Sequence, residues 1–361
     1  HIKILLILLI SCSNTGFSSN FVNLKVNFLQ QDCIIDDSNI HAAVDLWISD
    51  QTTAEVTYGH ISTWDTSCVT NMSELFKDFT DFNDDISNWD TSNVTNMNKM
   101  FQNANSFNQG VGNWDVSNVT DMGYMFKNAD DFNQNINNWD VSNVNMLEHM
   151  FFGSDSYNQP LNDWDVSNVT DMREMFAESL LFDQPLNNWQ ITNVTNILEL
   201  FRGAELFNQD LSSWNISNTQ HVYSMFQNAS SFNQDLSSWD ISNVTYLGHM
   251  FSNSGLSTEN YDSILIGWSQ QSVQSNVELI ALEIHYCNSE NERQQLIDNH
   301  GWSITDEGID PLCDTSSNDP PVISSEGNET YCPLTQQNIT TSFSIVDPDD
   351  TTLDALYIQI S

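Results

Sequence analysis

Asp65, Asp90, Asp115, Asp140, Asp165 and Asp240 each directly follow a tryptophan, and Gln190 and Asn215 fill the remaining places in the series. Carboxylates at one fixed place of a repeated unit fall into a row if the units stack. Neighbours about 4.8 Å apart then repel by roughly 1 kcal/mol in water, and more where partly dried. Hard oxygens in such a row suit calcium, the one cofactor this sequence suggests. The alternative is a solvated acidic face whose side chains bond nearby backbone N–H groups while salt screens the rest. The repeats lack the tight Asp-x-Asp-x-Asp-Gly loop of a dedicated calcium site, which favours the solvated face.

The tryptophans set the frame. Trp64, Trp89, Trp114, Trp139, Trp164, Trp189, Trp214 and Trp239 recur every 25 residues with no insertion or deletion, the mark of a repeat array. Phe76, Phe101, Phe126, Phe151, Phe176, Phe201, Phe226 and Phe251 hold a second column. In "LSSWDIS", Leu236, Trp239 and Ile241 point inward and Asp240 outward, which predicts a short strand. Val94, Met97, Met100, Phe101 and Ala104 fall at helical spacing, with Thr95 as the expected N-cap. No such unit buries its Trp and Phe alone, so stacking must form the core.

Asn93, Asn118, Asn143, Asn168, Asn193, Asn218 and Asn243 form a further row. It reads as a structural ladder, each Asn buried at a corner and bonding the backbone of its own and the next coil. Such burial would also hide its N-x-Thr sequons from glycosylation. Asn108, Asn133 and Asn208 invite the same reading. His41, His60, His149, His221, His249, His285 and His300 are scattered, with no nucleophile motif, phosphate loop or metal-spaced pair beside them. Glu283, His285 and Cys287 alternate along an expected cap strand. No catalytic residue is assigned, and the chain reads as a non-enzyme. Its 49 acidic against 8 basic residues would repel nucleic acid and anionic lipid, leaving no direct membrane insertion beyond a lipid anchor.

Residues 1–19 read as a signal peptide that the sequence enters partway. Leu9-Ile10-Ser11-Cys12 fits a lipobox with Cys12 as the lipidated residue, and ordinary secretory cleavage between residues 16 and 20 is the alternative. Residues 20–63 form an N-terminal cap, with Ile40, Ala43, Val44, Trp47 and Ile48 on one helical face behind Ser38 or Asn39. The array spans 64–256. The C-terminal cap, 257–313, holds a helix with Tyr261, Ile264, Leu265 and Trp268 inward, then a capping box from Ser289 to Glu292 and a stop at Gly301. Residues 314–361 are a linker and the start of a β-sandwich expected to continue past Ser361. Cys33 with Cys68 and Cys287 with Cys313 would each fasten one cap, leaving Cys332 over. Spacing alone does not fix these pairs, and buried free thiols are the other reading. Disulfides imply an oxidising compartment, hence export to the cell surface or beyond.

"WDVSNVTDM" followed by "MF", "A" and "FNQ" resembles the 25-residue repeat of BspA-like, leucine-rich-repeat-related bacterial surface proteins, over residues 64 to 256. The segment from "LSTENYDSILIGWSQQ" to "GWSITDEG" is similar to one that closes such arrays in exported proteins of the Bacteroidetes. The resemblance implies an α/β repeat fold, a right-handed leucine-rich-repeat-like solenoid of about eight coils. It also implies adhesion or recognition of a protein or glycan through the solenoid face. A structural spacer or fibre-forming array is the second reading, and the non-catalytic part of a secreted polysaccharide-active enzyme the third. Asn145 and "NISNTQHV" depart from the pattern, so the corners there are expected to be looser.

Overall fold

Each tryptophan of the series is at most 4% exposed, and from Trp89 onward its indole N–H donates to a carbonyl of the preceding unit. Trp139 Nε1 bonds the Val111 carbonyl at 3.1 Å, Trp164 that of Ile136 at 3.0 Å and Trp189 that of Leu161 at 2.9 Å. The same oxygen takes the main-chain N–H of its own unit's Trp, as Val111 does from Trp114 at 3.1 Å, so both lone pairs are engaged. Beside the indoles the phenylalanines stack, Phe101 on Phe126 at 5.5 Å between centroids and Phe107 on Phe132 at 6.0 Å. Identical side chains meet in register because the period never slips.

The computed structural model describes residues 33–313 and, beyond them, two strands. Helices α1 (Ile40–Ser49) and α2 (Gln51–Tyr58) precede the array; α3 (Thr258–Ser269), β1 (Glu278–Ile280), α4 (Glu290–His300) and β2 (Ser303–Thr305) follow it. β1 pairs with β2 in parallel, and the later strands β3 (Val322–Ser325) and β4 (Phe343–Val346) pair with each other antiparallel. The signal segment with Cys12, and Cys332, lie outside the described residues.

Inside the array the backbone departs from the expected strand and helix. Leu236, Trp239 and Ile241 are buried as anticipated, yet they lie on turns: Trp239 N–H bonds the Leu236 carbonyl at 3.1 Å and Val244 N–H that of Ile241 at 2.9 Å. Pairing reduces to single parallel bridges, running from Asn71 with Asn96 to His221 with Tyr246. The stretch from Thr95 to Ala104 is not helical either. Its N–H groups alternate between a carbonyl three residues back, as Met100 to Met97, and one in the next unit, as Lys99 to Gly123 at 2.9 Å and Phe101 to Met125 at 2.9 Å. Thr95, the expected N-cap, gives its N–H to the Thr70 carbonyl at 2.8 Å. Lys99 and Asn103 both sit at φ 58°. A left-handed residue at every fourth position stops a helix, while the intervening turns repeat the apolar spacing of one.

Both caps supply what a missing neighbour would. Asp37 accepts the N–H groups of Thr70 at 2.8 Å and Asn71 at 3.0 Å and the Thr70 hydroxyl at 2.6 Å. Burial pushes the Asp37 pKa up, but these bonds outweigh it and hold the carboxyl below its ordinary value. α1 buries Ile40, Ala43, Val44 and Trp47. Ile48, expected on the same face, is 42% exposed because it lies one residue, about 100°, around the helix from Trp47. Asn39 starts α1 without a side-chain cap bond; its amide donates to the Ile34 carbonyl instead. Disulfides join Cys33 to Cys68 and Cys287 to Cys313.

At the far end α3 buries Tyr261, Ile264, Leu265 and Trp268. Trp268 Nε1 bonds the Leu236 carbonyl at 3.2 Å and Leu247 bridges Leu279, so the cap prolongs the ladder with a longer interval. Gly301 ends α4 at φ 69°. The capping box does not form, since Ser289 Oγ donates to Asp262 at 2.5 Å. That buried carboxylate also takes the N–H groups of Cys287 and Asn288. Glu283, His285 and Cys287 lie outside β1 and form no strand of their own.

Trp139→Ala should cost about 3–5 kcal/mol in chemical denaturation, from lost burial and a cavity. Tyr157, in the column of Phe107 and Phe132, is fully buried with a hydroxyl that has no partner among the described residues. Tyr157→Phe should therefore raise stability by about 1 kcal/mol; a loss would show the hydroxyl to be satisfied.

Candidate functional site

Every aspartate of the row is exposed, and each side chain closes a turn on the serine two residues on. Ser117 donates its N–H to Asp115 Oδ1 at 3.1 Å and its hydroxyl at 2.6 Å, and Ser142 does the same to Asp140. The turn recurs at Asp65, Asp90, Asp165 and Asp240. The hydroxyl and N–H of the serine hold the carboxyls of Asp115, Asp165 and Asp240 below their ordinary range, with burial opposing weakly. Local donors thus offset the repulsion that a cation would otherwise have to neutralise. Among the described residues, no three His, Cys, Asp or Glu side chains converge as a metal site.

The asparagine row is a ladder on the outside. Asn118 Nδ2 donates to the Ser92 carbonyl at 2.7 Å, Asn143 to Ser117 at 2.7 Å and Asn193 to Ser167 at 2.8 Å, and Asn93, Asn168, Asn218 and Asn243 repeat the bond. These residues are exposed, not buried as anticipated, because the corner turns the amide along the surface to reach the unit before. Burial therefore does not shield their sequons. The Phe-Asn-Gln column does bind unit to unit: Asn133 N–H donates to Asn108 Oδ1 at 3.0 Å and Gln134 Nε2 to the same atom at 2.7 Å.

Repeated columns present the same surface at every step, so specificity must come from columns that change. Three lie along the bridged side. One runs Ser73, Asn98, Gly123, Glu148, Arg173, Leu198, Tyr223 and Gly248. The next runs Glu74, Lys99, Tyr124, His149, Glu174, Glu199, Ser224 and His249. A third begins Lys77, Gln102, Lys127, Phe152. Their centre is a packed network. Tyr124 stacks on His149 at 4.4 Å, Lys127 Nζ lies 4.2 Å from the Phe152 ring centre, and His149 Nε2 meets Glu174 Oε1 at 3.0 Å. Arg173 Nε donates to Glu148 Oε2 at 2.8 Å, and Arg202 pairs with Glu178 and with Glu199.

The His149 bond, helped by nearby positive charge and opposed by burial, holds the Glu174 carboxyl below its ordinary value. The bond to Glu148 raises the Arg173 pKa against its burial, and burial raises that of the Tyr124 phenol, helped by Glu148.

The middle column is left-handed throughout. All eight of its residues have positive φ, from 49° at Ser224 to 60° at Tyr124. Glycine and asparagine fit that region best, and they fill six of the eight places of the other left-handed column, Asn103, Asn128, Gly153, Gly203, Asn228 and Asn253, with Asp78 and Glu178 in the other two. Here neither appears. Left-handed non-glycine residues cost of order 1 kcal/mol each. This band escaped the sequence reading, which looked to recurrent residues; column-by-column variability was the signal.

Asp115→Asn should leave stability within about 0.5 kcal/mol of the parent, since Asn215 makes the same turn with Ser217 at 3.0 Å. Asp115→Ala should cost about 0.5–1 kcal/mol. Because these carboxyls are lowered in the fold, their stabilisation is complete above the ordinary Asp value of 3.8 and is lost as pH falls through the lowered ones. A melting temperature indifferent to pH below 3.8 in the parent would contradict the turns' role.

Comparison with curated proteins finds no match, and comparison with solved structures finds none. The family model described as "Mycoplasma protein of unknown function, DUF285" matches residues 48–164 and again 146–264. The two matches overlap and together run from residue 48 to residue 264, past both ends of the regular array. The aromatic period that runs through both, with well over half of the sequence covered, makes this chain a member of the DUF285 family.

Proposed function

We propose that the protein is a non-catalytic, exported recognition module of the cell surface, akin to the BspA-like leucine-rich-repeat-related proteins. Its array would wind as a right-handed solenoid and hold a protein or glycan ligand against the variable band. The observation that carries this reading is the left-handed column of Glu, Lys, Tyr, His and Ser side chains, without glycine or asparagine at any of its eight places although backbone energetics favour them there.

Geometry supports the choice of face. Equivalent rings in successive units are displaced by the step between units, and for Trp139, Trp164 and Trp189 that step is 6.4 and 6.5 Å. Across a hydrogen-bonded ladder it is about 4.8 Å. In the proposed solenoid such fanning would bend the array with the variable band on its inner side, the surface that repeat proteins use for extended ligands. The two disulfides favour an oxidising location. A spacer or fibre would need ends that stack on further copies, and here α1 and α2 cover one end while α3 and α4 cover the other.

The test is surface plasmon resonance of the immobilised full chain against purified extracellular proteins and oligosaccharides. Tyr124→Ala with Arg173→Ala should weaken the interaction at least tenfold, and Asp115→Asn with Asp140→Asn should leave it unchanged. Binding that ignores the first pair contradicts the assignment to the band, and ligand-free growth of filaments in sedimentation would favour the spacer.

A further inference from the structure

We propose that the last two units of the band form a distinct subsite for a neutral saccharide, an inference that rests on the recognition reading above. Each of the first six units places at least one formal charge on the band, from Glu74 and Lys77 to Glu199 and Arg202. The seventh and eighth place none. In a chain of net charge −41, their stretch of the band, taken with the flanking columns that hold His221 and Tyr246 on one side and Asn228 and Asn253 on the other, consists of tyrosines, histidines, amides, serines and one glycine.

The tyrosines are held as a pair. Tyr223 and Tyr246 stack with centroids 5.2 Å apart and planes within 5°, and His249 meets Tyr223 edge-on at 6.0 Å. Gly248 makes this possible: a Cβ there would lie 3.2 Å from Tyr223 Cδ2 and 3.3 Å from Tyr246 Cζ. Tyr246 nevertheless remains 38% exposed. His221 is exposed and bridges Tyr246, Asn228 is exposed and bonded to Asn253, and the Ser224 hydroxyl is buried with no partner among the described residues. Ser224 adjoins Gly248 through its N–H, which bonds the Gly248 carbonyl at 2.9 Å.

Charge narrows the ligand. The acidity of the chain repels polyanions such as uronates and sulfated glycans. No carboxylate lies among these residues, and Glu199 and Glu278 border them from either side, so a basic peptide finds counter-charge only at the edges. A neutral, hydroxyl-rich ligand is what the groups complement. Aromatic rings take the C–H faces of sugars, while amide and imidazole groups supply paired donors and acceptors for hydroxyls.

Isothermal titration of the full chain with neutral hexasaccharides of glucose, mannose and N-acetylglucosamine tests this. At least one should bind, and Tyr246→Ala should weaken it tenfold or more. His221→Ala provides the second variant, since the His221 side chain is exposed and makes no hydrogen bond among the described residues, so melting should not change while affinity falls several-fold. No binding of any neutral hexasaccharide, binding that ignores both variants, or binding only of heparin or polylysine overturns the proposal. Ligand capture that depends on Tyr124 and Arg173 but not on Tyr246 overturns the subsite and leaves the recognition reading standing.

Discussion

Unit-to-unit bonding in this protein is asymmetric, and the rest of the structure depends on that asymmetry. On the bridged side main chain bonds main chain, as Tyr124, Phe126 and Asn128 do to Glu148, Met150 and Phe152. On the tryptophan side the links are side chains: indole N–H to carbonyl, Thr91 Oγ1 to the Asp115 carbonyl and Asn118 amide to the Ser92 carbonyl. A side-chain link reaches farther than an amide ladder, so the units stand farther apart where the indoles stack. Register is fixed by both systems together, because a slip would take every indole from its carbonyl and every phenylalanine from its neighbour.

That fixed register makes a face out of residues 25 apart. Invariant columns satisfy the backbone and fill the core, which leaves few positions free to vary. Those on the bridged side carry five of the chain's eight basic residues, Lys77, Lys99, Lys127, Arg173 and Arg202, each near a carboxylate or an aromatic ring. Individual exposed ion pairs add little stability. Their concentration on one face, over a left-handed backbone, is what the proposed recognition role would use.

Burial was legible in the sequence, and backbone conformation was not. Trp, Phe and Met columns announced the core because a fixed period of apolar residues has no other use. Val94, Met97, Met100, Phe101 and Ala104 suggested a helix because turns broken by a left-handed residue reproduce helical spacing, and φ at Lys99 leaves no trace in residue type. The local bonds expected of a solvated aspartate row are present because serine two residues on supplies the turn. Asparagine at the corner was read correctly as a ladder and wrongly as buried, since an amide can bond along a surface as well as beneath it. Asp37 and Asp262 escaped notice because their partners lie far away in sequence.

Amide hydrogen exchange tests the asymmetry most directly. The amides of Tyr124, Phe126 and Asn128, each bonded to the next unit, should exchange orders of magnitude more slowly than those of Asp115 and Asn118 on the tryptophan side, and should do so as one cooperative group. Equal protection on the two sides would contradict a ladder confined to one face, and with it the account of why the variable residues gather there.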